Sequence, residues 1–333
     1  MRSDSPFFIF GPQKSGSSLL TTLLEQHPAV GIATDTVIFN QFFLWLTQHK
    51  GVDQQFHPRQ DAPEKYVDGT ALRKDLFRLP CGYNELKWYL SDLYQRYFTT
   101  STERLKMLLE IQGQTADTEF LRAEELMPYE HGLHLDPLPL LDMAREGCLW
   151  TDVMYAIIRQ LAHNKPQDDT AVYGEKTPGH MHFAEHLRAS FPDGQFIFII
   201  RDPIANVASL YKRNNAGYLI GQTNNINRAI AIYKDSIDPF IEFYRHNREQ
   251  VLVLRFEDLI KDTQASMGRV FKHLGVEPIT IQQQFSSGSK GAYVGNKVDK
   301  DRASGAYAML SEADRHQVMR CLDYVFAEFY PPG

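Results

Sequence analysis

Short unbroken apolar runs stand at 7–10 (FFIF), 196–200 (FIFII) and 251–254 (VLVL), each followed by polar residues and then by apolar positions at helical spacing. Runs of this length without alternation predict strands covered on both faces, and the helical pattern after each predicts crossover helices. Strand followed by helix, repeated, predicts an α/β fold with a P-loop-like central parallel sheet flanked by helices. A fourth strand end is expected in VYGEKTP, 172–178, closed by Pro178 before a helix around 180–190.

From about 40 to 150 the texture changes to long helical patterns such as ELKWYLSDLYQRYF and STERLKMLLEIQ, interrupted by MPYEHGLHLDPLPL. The pattern predicts one domain over 1–333 carrying a mainly helical insertion. A Gly, Ser and Lys-rich stretch, 286–305, predicts a long irregular loop, and loops of that length are often functional.

Composition narrows the classes. With 43% hydrophobic and 23% charged residues the chain reads as a globular protein. Its net charge of −6, with no Lys/Arg run longer than two, supplies no field for a nucleic-acid backbone, so any anion site is local. Three cysteines, far apart in the sequence, give neither a disulfide framework nor a metal pair, and a reducing compartment is the simpler reading. No basic leader precedes FFIF and no apolar run nears the roughly 18 residues of a membrane span, so a cytoplasmic location is expected.

The local anion site announces itself at FFIFGPQKSGSSLL, 7–20. Gly11 and Gly16 have the spacing of a Walker A loop, but Ser17 stands where its lysine belongs, and Lys14 lies before the second glycine. In a strand, loop and helix of this kind the N–H groups of Ser17, Ser18 and Leu19 face an anion, the hydroxyls of Ser17 and Ser18 add donors and Lys14 adds charge. The alternative is that the serines only cap a helix. A second candidate follows the strand at 196–200: Arg201 at its carboxyl end, Asp202-Pro203 to start a helix, and Ser209 eight residues after the arginine. Ligands of open α/β sheets bind at such strand ends, and a guanidinium fork with a hydroxyl suits a phosphate monoester.

Together these motifs resemble the sulfotransferases that use 3′-phosphoadenosine 5′-phosphosulfate (PAPS) and release adenosine 3′,5′-bisphosphate (PAP), especially bacterial members and the tyrosylprotein branch. Pro12-Gln13-Lys14-Ser15-Gly16-Ser17-Ser18 is similar to that family's 5′-phosphosulfate loop, and Arg201 with Ser209 to its 3′-phosphate element. The resemblance implies further roles: Arg213 on the 3′-phosphate, Lys176 of YGEKTP on the transferring sulfuryl group, and Phe256 of LRFEDL, where the family has tyrosine, against adenine. Lys290 and Gly291 resemble a loop that covers the cofactor.

The resemblance implies in-line sulfuryl transfer to a hydroxyl or amine, with Lys14 stabilising the departing phosphate and no metal required. Asp35 falls on the position of the tyrosylprotein branch's general base; it can equally cap the segment that follows. His131, His134, His180 and His182 are alternative bases. The acceptor expected is a small metabolite or carbohydrate, with peptide tyrosine as the alternative. A P-loop kinase or NTPase, with Asp202 on magnesium, and a non-catalytic nucleotide-binding module are the competing classes.

Overall fold

The computed structural model describes residues 5–34, 36, 38–39, 42, 76–97, 135–162, 171–215, 225–284, 298 and 307–331. Strand β1 (Phe7–Phe10), buried along its length, turns into α1 (Ser17–Leu24), and β2 (Val30–Thr34) follows. Helices α2 (Tyr83–Tyr97) and α3 (Pro137–Glu146) fall within 40–150, and α4 (Trp150–Leu161) follows that stretch. Strand β3 (Val172–Lys176) leads through a 3-10 turn, Pro178–Phe183, into α5 (Ala184–Ser190). Next come β4 (Gln195–Ile200), α6 (Pro203–Asn215) and α7 (Ile226–His246). Strand β5 (Val251–Arg255) runs into α8 (Phe256–Lys261) and α9 (Thr263–Leu274), and α10 (Glu312–Cys321) and α11 (Asp323–Phe329) complete the order.

The strands form the expected central sheet, in the order β2-β3-β1-β4-β5. The β2–β3, β1–β4 and β4–β5 ladders are parallel, with Val30 opposite Val172, Phe7 opposite Gln195 and Phe196 opposite Val251. The apolar pattern does not announce β2: Gly31, Ala33 and Thr34 break the run, yet all five of its residues are buried. Helix starts follow the side-chain chemistry at their ends. Asp136 accepts the Leu138 N–H at 3.1 Å ahead of Pro137, and Asp262 accepts the Ala265 N–H at 3.0 Å.

The chain divides into two compact units. The first comprises Met1–Pro6, Pro28–Gly194 and Gly288–Ala292. Within it α4 packs on β2 and β3, and Phe39, Phe42, Phe77, Tyr89 and Trp150 form an aromatic cluster. The buried Tyr89 hydroxyl donates to the Ile38 carbonyl at 3.1 Å, which supplies the partner a buried phenol requires. Cys81 and Cys148, far apart in sequence, meet beside the antiparallel bridge of Pro80 with Leu149, where the Cys81 N–H donates to the Cys148 carbonyl at 2.8 Å. Both are free thiols, and burial raises the pKa of each.

The second unit comprises Phe7–His27, Gln195–Ser287 and Tyr293–Gly333. Its core is built on β1, β4 and β5, with α9 packed on β4 and β5 and α6 packed on α7. Phe196 is packed among Phe8, Phe10 and Phe243, with ring centroids 5.5, 5.8 and 5.1 Å away. Among the described residues no helix is long and apolar enough to cross a membrane. Removing the Phe196 ring leaves a cavity at the centre of three aromatic contacts. Phe196→Ala is therefore expected to cost about 3–5 kcal/mol in urea denaturation.

Candidate active site

The loop between β1 and α1 is shaped by two close approaches. A Cβ on Gly11 would fall 2.4 Å from the Ile199 carbonyl oxygen, and one on Gly16 would fall 2.3 Å from the Phe256 ring. Gly16 also adopts φ 102 as the N-cap of α1, and no side chain caps that helix. The first intrahelical bond runs from the Leu20 N–H to the Gly16 carbonyl at 3.1 Å, so the N–H groups of Ser17, Ser18 and Leu19 have no acceptor within the helix. An uncapped helix start of this kind can receive an anion. Lys14 is the only described non-glycine residue with positive φ, 69°, a conformation that costs of order 1–3 kcal/mol unless the surroundings impose it.

Those surroundings come from the turn after β4. Asp202 starts α6 by accepting the Ala205 N–H at 2.9 Å, and the register leaves Arg201 at the strand's carboxyl end, 5% exposed. The Arg201 guanidinium makes a long hydrogen bond, 3.4 Å, from Nη1 to the Lys14 carbonyl and lies 5.0 Å from the Phe256 ring centroid. Phe256 is thus packed against Gly16 on one side and Arg201 on another, and is itself 2% exposed. Ser209 lies on α6 at intermediate burial, and Arg213 lies near the end of the same helix.

Two residues here were given no role by the motifs, although Glu257 stands within LRFEDL. Asn206 is fully buried on α6, and its side-chain amide, oriented as its neighbours require, donates to the Gln13 carbonyl at 3.0 Å and accepts from the Ser15 N–H at 3.3 Å. Its one mark in the sequence is a polar residue set between apolar neighbours, Ala205, Val207 and Ala208. Glu257 accepts the Asp202 N–H at 3.0 Å and the Tyr330 hydroxyl at 3.0 Å, which ties the turns after β4 and β5 together. Burial, and then the charge of Asp202, raise the Glu257 pKa above the ordinary 4.5, against the pull of these hydrogen bonds.

In the first unit Lys176 ends β3 and is buried. Beside it Glu175, with no exposure, accepts the Thr36 hydroxyl at 3.0 Å, the Thr177 hydroxyl and an imidazole N–H from His180 Nδ1 at 2.8 Å. His180 is fully buried with its ring edge-on to Phe39 at 5.1 Å, and His182 lies on the same 3-10 turn, half-buried. The structure thus brings Gln13 through Ser18, Arg201 and Phe256 together within one unit, and Lys176 with His180 within the other. The Arg213 side chain, Asp35, His131, His134, Lys290 and Gly291 lie outside the described residues.

A family model described as the Sulfotransferase family matches residues 6–280. The chain belongs to the sulfotransferase family. It is 22% identical over 300 residues to the omega-hydroxy-beta-dihydromenaquinone-9 sulfotransferase Stf3 of Mycobacterium bovis (strain ATCC BAA-935 / AF2122/97) and to that of Mycobacterium tuberculosis (strain CDC 1551 / Oshkosh). These matches cover 82% of this chain and 63% of each relative, so the chain spans under two thirds of the length of the curated relatives it matches. Among solved structures, the sulfotransferase domain from the curacin biosynthetic pathway superposes with TM-score 0.51 at 14% identity, covering 97% of this chain and 99% of that one. The sulfotransferase domain from the Synechococcus PCC 7002 olefin synthase gives 0.47 at 13% identity, covering 97% and 96%. The curacin domain shows that this sheet and its helices are the sulfotransferase fold.

The Glu257 carboxyl gives this protein a pH signature. The folded state holds its proton more tightly than the unfolded chain does, so its contribution to stability is full below the unfolded value and is lost as pH rises through the folded one. Thermal melts across that window are expected to fall less steeply with rising pH for Glu257→Gln than for the wild type.

Proposed function

We propose that this protein transfers a sulfuryl group from PAPS to a hydroxyl or amine of a small acceptor. The observation that carries this reading is the join between the two anion motifs: Arg201 at the end of β4 bonds the carbonyl of Lys14 in the loop before α1. One rigid turn pair therefore offers a guanidinium and an uncapped helix start, which suits a ligand with two separate phosphate groups. The residues fit a 5′-phosphosulfate at Lys14, Ser15, Gly16, Ser17 and Ser18, with Gln13 shaping the turn. They fit a 3′-phosphate at Arg201, Ser209 and Arg213. Gly16 supports this fit, because any side chain there would strike Phe256 and distort the backbone amides that face the anion. Phe256 serves by backing Gly16 and Arg201.

When bound, PAPS supplies an activated sulfuryl group on a phosphate leaving group. In our reading the protein's part is electrostatic. Lys14 and the α1 N–H groups balance the charge that grows on the departing phosphate. Lys176 neutralises sulfuryl oxygens, and Lys290 with Gly291 covers the donor and keeps water out. Asp35, the residue after the end of β2, takes the acceptor's proton. His180 is a weaker choice, since its Nδ1 is committed to Glu175 and its ring is buried.

The mycobacterial relatives are named for an omega-hydroxy-dihydromenaquinone acceptor, which supports a hydroxyl-bearing small molecule here too. Carbohydrate hydroxyls and peptide tyrosine are the arms of an acceptor screen that compare with it. The kinase or NTPase reading is disfavoured by Ser17 at the Walker lysine position and by the commitment of the Asp202 side chain to the start of α6.

PAP is expected to raise the melting temperature without magnesium, while ATP with magnesium leaves it unchanged; the reverse pattern would overturn the donor assignment. Arg201→Ala is expected to weaken PAP binding by roughly tenfold to a hundredfold in calorimetry, the loss of a charge-assisted phosphate contact. Asp35→Ala should leave PAP affinity near the wild-type value and depress turnover instead.

A further inference from the structure

The phosphate loop is held by more than its own turn. Three successive residues, Gln13, Lys14 and Ser15, each have a backbone group tied to the start of α6. Asn206 donates to the Gln13 carbonyl at 3.0 Å and accepts from the Ser15 N–H at 3.3 Å, and Arg201 donates to the Lys14 carbonyl at 3.4 Å. Lys14, between the two peptide groups that Asn206 grips, is the residue held at φ 69. A side chain with one donor and one acceptor on a common carbon matches this carbonyl and N–H pair, and few other residue types of that size do.

A buried amide in a helix interior is otherwise unfavourable. It must find partners, and alanine would suit both the helix and the apolar face better. The partners that Asn206 finds are on the loop, while its chain neighbours Ala205, Val207 and Ala208 are all buried.

We propose that Asn206 is the positioning residue of the 5′-phosphate loop: by clamping the peptide groups on either side of Lys14 it fixes the left-handed turn that aims the lysine and the α1 amides at the 5′ group. This rests on the reading of the loop as the donor's 5′ site. It predicts that Asn206 governs recognition of the 5′-phosphate and leaves recognition of the 3′-phosphate, made by Arg201, almost untouched.

The test is calorimetry on the full chain with two ligands that differ only at the 5′ position, PAP and adenosine 3′-monophosphate. The wild type is expected to prefer PAP by at least roughly tenfold, the worth of one charge-assisted hydrogen bond. Asn206→Ala should lose most of that preference, with its affinity for the 3′-monophosphate within about twofold of the wild type. Lys14→Ala should lose the preference too, and adding Asn206→Ala to it should cost little more, because the clamp acts through the lysine and its turn. Val207→Ala, a buried truncation at the next position of the same helix, should keep the full preference. If Asn206→Ala does not fold, Asn206→Ser is read in the same way.

An Asn206 variant that keeps the wild-type preference, or that weakens both ligands equally, overturns the proposal while leaving the donor site intact. A wild type that binds neither ligand overturns the donor-site reading and this proposal with it.

Discussion

Gly16 approaches the Phe256 ring so closely that a side chain at that position is excluded, and the geometry of the candidate site depends on this contact. It brings the start of α1 against the first residue of α8, and the same ring carries the Arg201 guanidinium 5.0 Å from its centroid. One aromatic ring thus braces both elements of the proposed donor site. The sheet makes this possible: β1, β4 and β5 are parallel neighbours, with Ile200 opposite Arg255, so the turns that follow β4 and β5 emerge side by side. Glu257 then stitches those two turns through the Asp202 N–H, and Tyr330 fastens the carboxylate from the C-terminal segment.

The first unit repeats the principle with different chemistry. Glu175 and Lys176, adjacent at the end of β3, are both buried. The carboxylate meets its desolvation cost with two threonine hydroxyls and an imidazole, so it stays bound in place. The polar island sits next to an aromatic cluster that limits its freedom, which makes it a rigid base for the lysine beside it.

Much of this was legible in the residues. FFIF, FIFII and VLVL read as strands because short unbroken apolar runs suit a sheet covered on both faces, and Arg201 was placed at a strand end by the Asp-Pro that follows it. The second strand was not legible, since Gly31, Ala33 and Thr34 weaken the apolar signal and its burial comes from α4 packed above it. Nor were the supports of the site. Asn206 and Glu257 act on backbone groups far away in sequence, and a pattern read along one segment holds no trace of the segment it will meet. The same holds for Cys81 and Cys148, which a bridge between distant segments brings together. Lys14 was picked out for its charge; its positive φ and the clamp that holds it appear only in three dimensions.

The central claim is group transfer, and the most direct measurement is mass spectrometry of an acceptor panel incubated with the purified protein and PAPS. Hydroxyl-bearing quinones and other small alcohols, carbohydrates and a tyrosine peptide make up the panel, and Lys14→Ala serves as the control. The account predicts that one acceptor class gains a single sulfuryl group, with PAP released in equal amount, and that Lys14→Ala largely abolishes both. A protein that binds PAP but sulfates nothing in the panel, or one that moves a phosphoryl group from ATP instead, would contradict it.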